Sequence, residues 1–275
     1  MNPAIGIAGL GLIGGSLGLA LRAKGREVLG FDAHAEVVHA ALARGAISRG
    51  GSEPSVLSGA GRVVLAVPLD RLVEVGRALA PHLGRGCVVV DVGSVKGAVV
   101  PELERALGPP LRYVGGHPMF GAEGRGIQAA DPDLLDGASF VLTPTPRTDP
   151  AAVEAAEELA RAIGMRPVRM SPEQHDGEVA AVSHLVYLAG AALVRAAPNL
   201  EVAGTGFRDA TRPAAAPESM WLEILRLNRE SVRQAARRLI DEIDYLASLE
   251  GEALQRALSE ARTRRERRFS QTAKP

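Results

Sequence analysis

The residues best suited to chemistry begin with a glycine turn. Gly9-Leu10-Gly11-Leu12-Ile13-Gly14 joins the apolar run Ala4–Ala8 to an amphipathic stretch. In such a turn the first glycine permits the tight bend, the second lets main chain approach a pyrophosphate, and the third lets helix pack on strand. Phosphates then lie at a helix N-terminus, with Leu12 and Ile13 in its first turn, where unpaired N–H groups and the dipole favour anions. Asp32 ends the next apolar run, about 20 residues further on. A carboxylate there accepts hydrogen bonds from ribose hydroxyls and repels a 2′-phosphate, and Ala33 and His34 offer no guanidinium to hold one. The turn and Asp32 together point to a dinucleotide site that prefers NAD to NADP. The competing role for Asp32 is a turn residue capping a helix over 35–43. Val67 and Pro68 end the run 63–68 and flank the same edge.

Four further segments look unlike ordinary packing: Asp91-Val92-Gly93-Ser94-Val95-Lys96-Gly97, Gly115-Gly116-His117-Pro118-Met119-Phe120-Gly121, the pair Ser183-His184, and Gly204 to Arg212. The first two follow apolar runs, and in open α/β sheets ligands bind at the carboxyl ends of strands. Each also has an ordinary reading. Ser94 suits an N-cap for a helix beginning near Val95, and Lys96 a solvated first-turn lysine. His184 lies within an apolar helix, where histidine is usually a satisfied core residue. Arg208 can pair with Asp209.

These residues need elements to hold them. Strands are expected over 4–9, 27–31, 62–67, 86–92, 111–115, 138–143 and 166–170, with helices over 12–24, 69–80, 95–107 and 151–163. That alternation predicts a mostly parallel sheet covered on both faces, an α/β Rossmann-type domain over residues 1–170. His117 then falls in a loop after the fifth strand. Ser171-Pro172 is a strong helix start. From there an all-α domain over 171–275 is expected: a buried helix to about Ala196, a loop over 197–217, and helices from Glu218 to Ala247 and over 251–268.

Bulk properties limit the alternatives. The 275 residues are 46% apolar, with 32 basic and 32 acidic side chains. This balance argues against a nucleic-acid binder working through overall charge. The run Arg262 to Arg268 reads as a charged helix end. Cys87, the single cysteine, excludes an intrachain disulfide and multi-cysteine zinc sites. It reads as a buried small hydrophobe, and no metal is expected. With no leader-like start and no uncharged run of membrane-spanning length, a cytoplasmic protein without a membrane partner is expected.

In order, Gly9–Ser16, Asp91–Lys96, Gly115–Gly121, Ser183–Leu185 and Gly206–Arg212 resemble motifs of the prephenate and arogenate dehydrogenases, and the likeness extends to Trp221 and Asn228. The resemblance implies an NAD-dependent oxidoreductase of tyrosine biosynthesis that forms a homodimer largely through its helical domain. By the same likeness His117 is the catalytic base, taking the ring hydroxyl proton of a cyclohexadiene as its carbon gives up hydride. Loss of the ring carboxylate then yields a phenol. Ser94 would orient that hydroxyl and His117 beside the cofactor, and Arg212, with Arg208 as rival, would grip a substrate carboxylate.

Many relatives read Ser-His-Leu-Pro-His where this chain has Ser183-His184-Leu185-Val186-Tyr187. His184 and Tyr187 therefore fall at the substrate side chain, and Glu123 is a further candidate there. Prephenate is the favoured substrate, with arogenate or dual use the alternative and a non-catalytic NAD sensor the reading from another class. The β-hydroxyacid dehydrogenases use a lysine on the helical domain, but this chain has none between Lys96 and Lys274. With the sequence ending after the arginine run, no further regulatory or mutase domain is expected.

Overall fold

The computed structural model describes residues 3–121 and 124–269. Its first part runs β1 (Ala4–Ala8), α1 (Leu12–Ala23), β2 (Val28–Phe31), α2 (Ala35–Ala43), β3 (Arg49–Gly51), β4 (Ala60–Leu65), α3 (Leu72–Leu79) and β5 (Val88–Asp91). It continues with α4 (Val100–Ala106), β6 (Arg112–Pro118), β7 (Ser139–Thr143), α5 (Pro150–Ala162) and β8 (Arg166–Arg169). One sheet holds all eight strands, in the order β3-β2-β1-β4-β5-β6-β7-β8. Neighbours are parallel except β6 and β7. The mostly parallel sheet expected from sequence is present, enlarged by β3, whose Arg49-Gly50-Gly51 carries no strand signal.

Strand residues sort by parity onto two cores, as a pleat of period two requires. Ile5, Ile7, Val64, Val88 and Val90 pack on one face with α1 and α5. Ala4, Ala8, Val63, Leu65 and Val89 pack on the other with α3 and α4. A sheet buried on both faces needs continuous apolar strands, which is why these runs stood out in the sequence. Cys87 is buried, as expected, and burial raises its thiol to about 11.

Two local expectations fail in ways that matter for the site. The helix expected from residue 95 starts only at Val100, so Ser94 is not its N-cap. And β6 extends through Pro118, placing His117 on a strand opposite Val141 rather than in a loop.

The remainder is helical. Ser171 caps α6 (Pro172–Val179) by accepting the Gln174 N–H. A π-helical turn over Ala180–His184 leads into α7 (Leu185–Ala196). Next come α8 (Thr205–Thr211) within the expected loop, a 3₁₀ turn over Arg212–Ala215, α9 (Glu218–Leu227), α10 (Arg229–Ser248) and α11 (Gly251–Phe269). The single helix expected over 218–247 breaks at Asn228, whose φ of −109° and ψ of 28° leave the helical region.

The continuous stretch Pro172–Ala196 is long and apolar enough to cross a membrane by length and composition alone, a test that the core helix of a water-soluble protein also passes, and its longest uncharged run is only Val179 to Val194. Only 33% of its most apolar window is buried, so it is less covered than the buried helix expected. The buried apolar cluster of this half is small: Ala180, Leu185, Val232 and Ala235.

Candidate active site

Strand order reverses about β1 and β4, and ligands in doubly wound sheets bind at such a switch point. The glycine turn lies there. Gly9 has φ +90°, and a Cβ on it would stand 2.4 Å from the Ala66 carbonyl oxygen and 2.9 Å from Val67. At Gly14 a Cβ would stand 1.9 Å from the Gly9 oxygen, so this residue sets how closely α1 meets β1. Gly11 differs: a Cβ there meets nothing within 4 Å, leaving open space at the N-terminus of α1. No side chain caps that terminus and its first turn carries no acid. Leu12 and Ile13 are only half-buried. These features fit a dinucleotide's pyrophosphate.

Asp32 stands at the end of β2, partly exposed. Its Oδ2 accepts the Leu10 N–H at 2.9 Å and its Oδ1 the His34 N–H at 3.0 Å, tying it to the glycine turn. The residue at the N-cap of α2 is His34, so Asp32 is not that helix's cap. Each of its oxygens keeps a lone pair for a further donor. Val67 and the exposed Pro68 follow β4 beside Gly9.

Toward the helical half the side chains turn inward. His117 is 9% exposed, and its Nδ1 lies 2.8 Å from Nε2 of the fully buried His175. His175 Nδ1 lies 2.8 Å from Asp176 Oδ1. Asp176 also accepts the main-chain N–H groups of Lys96 and Gly97, each at 2.8 Å. Those bonds hold residues 94–97 out of a helix and seat α6 on the end of β5.

His184 is buried in the π turn. Its Nδ1 lies 3.2 Å from Asn228 Nδ2, which also donates to the Asp176 carbonyl at 2.8 Å. The side chain at the helix break thus joins two parts of the cluster. His184 Nε2 makes no well-formed hydrogen bond, although the Ser94 main chain lies near enough to bear on the ring's charge. His184 is therefore not a fully satisfied core histidine. Half-buried Ser94 sits on the connection after β5.

Lys96, read from sequence as solvated, is fully buried. Its Nζ donates to Asp91 Oδ1 and to the Gly116 carbonyl. Asp91, also fully buried, further accepts from Tyr113 Oη at 2.7 Å and the Gly93 N–H at 2.7 Å. Burial draws Lys96 down from its ordinary value, with Asp91 opposing, while burial and Asp91 together raise Tyr113 well above its own.

Tyr187 is buried with its ring stacked on Trp221, centroids 4.3 Å apart, and His184 meets the same indole edge-on. Trp221 Nε1 is buried without a hydrogen bond. Arg212 is exposed where the 3₁₀ turn begins, and α8 and that turn both pack against α7. Arg208 pairs with Asp209 at 3.5 Å. Glu123 lies outside the described residues. Among those described, no group of three or more His, Cys, Asp or Glu is arranged to hold a metal ion.

The model of the prephenate dehydrogenase nucleotide-binding domain matches residues 17–169, and that of the family's dimerization domain matches 171–260. The chain belongs to the prephenate dehydrogenase family. Prephenate dehydrogenase of Bacillus subtilis is 36% identical over 259 residues, covering 90% of this chain and 70% of the relative. The crystal structure of Aquifex aeolicus prephenate dehydrogenase with hydroxyphenyl propionate and NAD+ superposes with a TM-score of 0.87 at 30% identity, covering 97% of this chain and 98% of that one. Synechocystis arogenate dehydrogenase superposes at 0.83 with 28% identity, covering 96% and 99%.

In this member of the prephenate dehydrogenase family the three clustered imidazoles are held neutral. Burial foremost, then the proximity of His175, Lys96 and His184, which would repel a charge on it, puts His117 well below its usual value. Burial lowers His175 despite Asp176, and brings His184 to about 4. Burial alone would raise Asp176, but its bonds from His175 and the two amides prevail and lower it. In the unfolded chain the histidines protonate near 6.5, so at acid pH the unfolded state binds more protons. Their contribution to stability is complete above about 6.5 and is lost as pH falls through the depressed folded values. The melting temperature should therefore fall steadily between pH 7 and 4.5; a flat profile would show that these groups are not neutral in the fold.

Proposed function

We propose that this chain oxidises prephenate with NAD+ to 4-hydroxyphenylpyruvate and CO2, through a nucleotide-binding part over residues 1–170 and a helical part over 171–275. It is an NAD-dependent oxidoreductase. The observation that carries the reading is His117: a neutral, buried imidazole at the carboxyl edge of the sheet that also bears the glycine turn.

The uncapped N-terminus of α1, with Gly9, Gly11, Leu12, Ile13 and Gly14, would hold the pyrophosphate, and Asp32 the ribose hydroxyls. Val67, Pro68 and Ser94 would border the nicotinamide side. NAD+, when bound, supplies the acceptor for hydride. His117 takes the proton from the ring hydroxyl as that carbon becomes a carbonyl. Loss of the ring carboxylate as CO2 pushes its electron pair onto that oxygen, which takes the proton back from His117 to give the phenol. A base neutral at physiological pH can accept that proton without first losing one. Ser94 orients the hydroxyl. His184, with its unpaired Nε2, and Tyr187 form the wall facing the substrate side chain.

Arg212 is assigned to a substrate carboxylate, which a guanidinium can hold by two parallel hydrogen bonds. Arg212→Ala should raise the KM for prephenate roughly 10-fold or more, as loss of a charge-assisted bond worth about 1.5–3 kcal/mol requires. An unchanged KM would transfer the role to Arg208.

We further propose a homodimer through the helical part. Among the described residues, every exposed large hydrophobic except Leu42 lies there, including Val182, Val186, Leu222 and Ile240. A cluster of four buried residues leaves this apolar surface uncovered in one chain, and a second copy would cover it.

Arogenate is the second reading. It is favoured by Tyr187, stacked on Trp221 where many relatives carry histidine. Parallel assays with prephenate and arogenate, following NADH, decide between them. Turnover with arogenate alone would replace the prephenate reading, and NAD binding without turnover on either would leave a sensor.

A further inference from the structure

We propose that His175 and Asp176 are positioning residues for His117, forming a chain in which Asp176 orients His175 and His175 fixes the proton of His117 on Nδ1. This inference rests on His117 being the base.

Donor and acceptor roles follow from what each group can give. The Asp176 carboxylate is ionised and has no proton to donate, so the 2.8 Å contact requires His175 Nδ1 to carry the hydrogen. A neutral His175 then has a lone pair on Nε2. The 2.8 Å contact to His117 can form only if His117 Nδ1 is the donor. That leaves His117 Nε2 unprotonated, the atom a base needs for the substrate hydroxyl. When the hydroxyl proton reaches Nε2, the Nδ1–H of the resulting imidazolium already points at an acceptor tied to a carboxylate.

Asp176 is itself fixed by the Lys96 and Gly97 amides, so the chain is anchored to the end of β5. His175 and Asp176 lie on α6 of the helical half, and His117 on β6 of the sheet. The base is therefore oriented across the seam between the two parts. The ionisable groups packed around the pair are Lys96 and Asp91 from β5 and the connection after it, Asp176 from α6, and His184 from the π turn. Lys96 and a protonated His184 oppose positive charge on His117, whereas the carboxylates favour it.

The decisive readout is the tautomer of His117 in the wild-type protein. Nitrogen-15 NMR of histidine-labelled protein should show His117, assigned by its disappearance in His117→Asn, as the Nδ1–H tautomer. An Nε2–H tautomer would overturn the proposal. Kinetics give a second arm. His175→Leu should keep wild-type NAD affinity but lose about 10- to 100-fold in kcat, part of the 10²–10⁴-fold that a positioned base supplies. The acid limb of its kcat/KM profile should move to lower pH, because an imidazolium without an acceptor is harder to form. His175→Gln, whose amide oxygen can still accept the Nδ1–H, should restore part of the rate and return the limb toward wild type. A folded His175→Leu protein with unchanged kcat and acid limb would reduce His175 to packing. If His117→Asn retains full turnover, the base assignment itself fails; if only the His175 arm fails, that assignment stands.

Discussion

Replacing His117 with asparagine lowers turnover about 10²–10⁴-fold, the range a positioned general base supplies, while NAD binds as in wild type. Asparagine fills similar space and can donate its amide N–H to His175, so the seam between sheet and helices stays closed. It cannot take a proton at neutral pH. Because His117 lies on β6, separated by β4 and β5 from the glycine turn after β1, its loss should leave the nucleotide end unchanged. Steady-state kinetics with titration of NAD by fluorescence quenching separate the two effects. A substantial loss of NAD affinity would make His117 a binding residue, and unchanged turnover would remove it from the chemistry.

The second large effect is on stability. Lys96→Met removes the only full positive charge contacting Asp91 among the described residues, leaving a wholly buried carboxylate neutralised by dipoles alone. Breaking a buried ion pair from one side typically costs about 3–5 kcal/mol, and for a chain of this size the melting temperature should fall on the order of 10 °C. The same variant loses the bond from Lys96 Nζ to the Gly116 carbonyl, next to His117. Adding Asp91→Asn removes the stranded charge and should recover part of the loss, because the cost lies mainly in leaving one ion unpaired. Thermal unfolding of the single and double variants measures this. A single variant as stable as wild type would mean that Lys96 is neutral in the fold.

Lys96 also marks where the sequence ceased to be legible. A lysine four residues before a helix has the ordinary look of a solvated side chain; what buries it is Asp176, 80 residues away, whose carboxylate takes the main-chain N–H groups of 96 and 97. His175 and Asp176 went unnoticed for the same reason. Pro172-Glu173-Gln174-His175-Asp176 is a normal first helical turn, and nothing local shows that one face of it closes on β6. Asn228 interrupts an amphipathic pattern that by itself reads as one helix, because its side chain is engaged by Asp176 and His184.

What could be read was whatever the backbone needs locally. The glycine turn demands a positive φ at Gly9 and a missing Cβ at Gly14, and the strands of a doubly covered sheet demand unbroken apolar runs. Asp32 belongs with these, since its distance from the turn is fixed by one helix and one strand. His117 was found from its motif, but its place on a strand was not, because Gly115-Gly116 suggested a loop. There the glycines admit neighbours instead: a Cβ on Gly116 would meet the Asp91 carbonyl oxygen at 2.6 Å.

The most direct test of the whole account is the stoichiometry of the purified protein with NAD+ and limiting prephenate, following NADH by absorbance and CO2 by release from carboxyl-labelled substrate. The account predicts one NADH and one CO2 for each prephenate consumed. NAD binding with neither product formed from prephenate would contradict it.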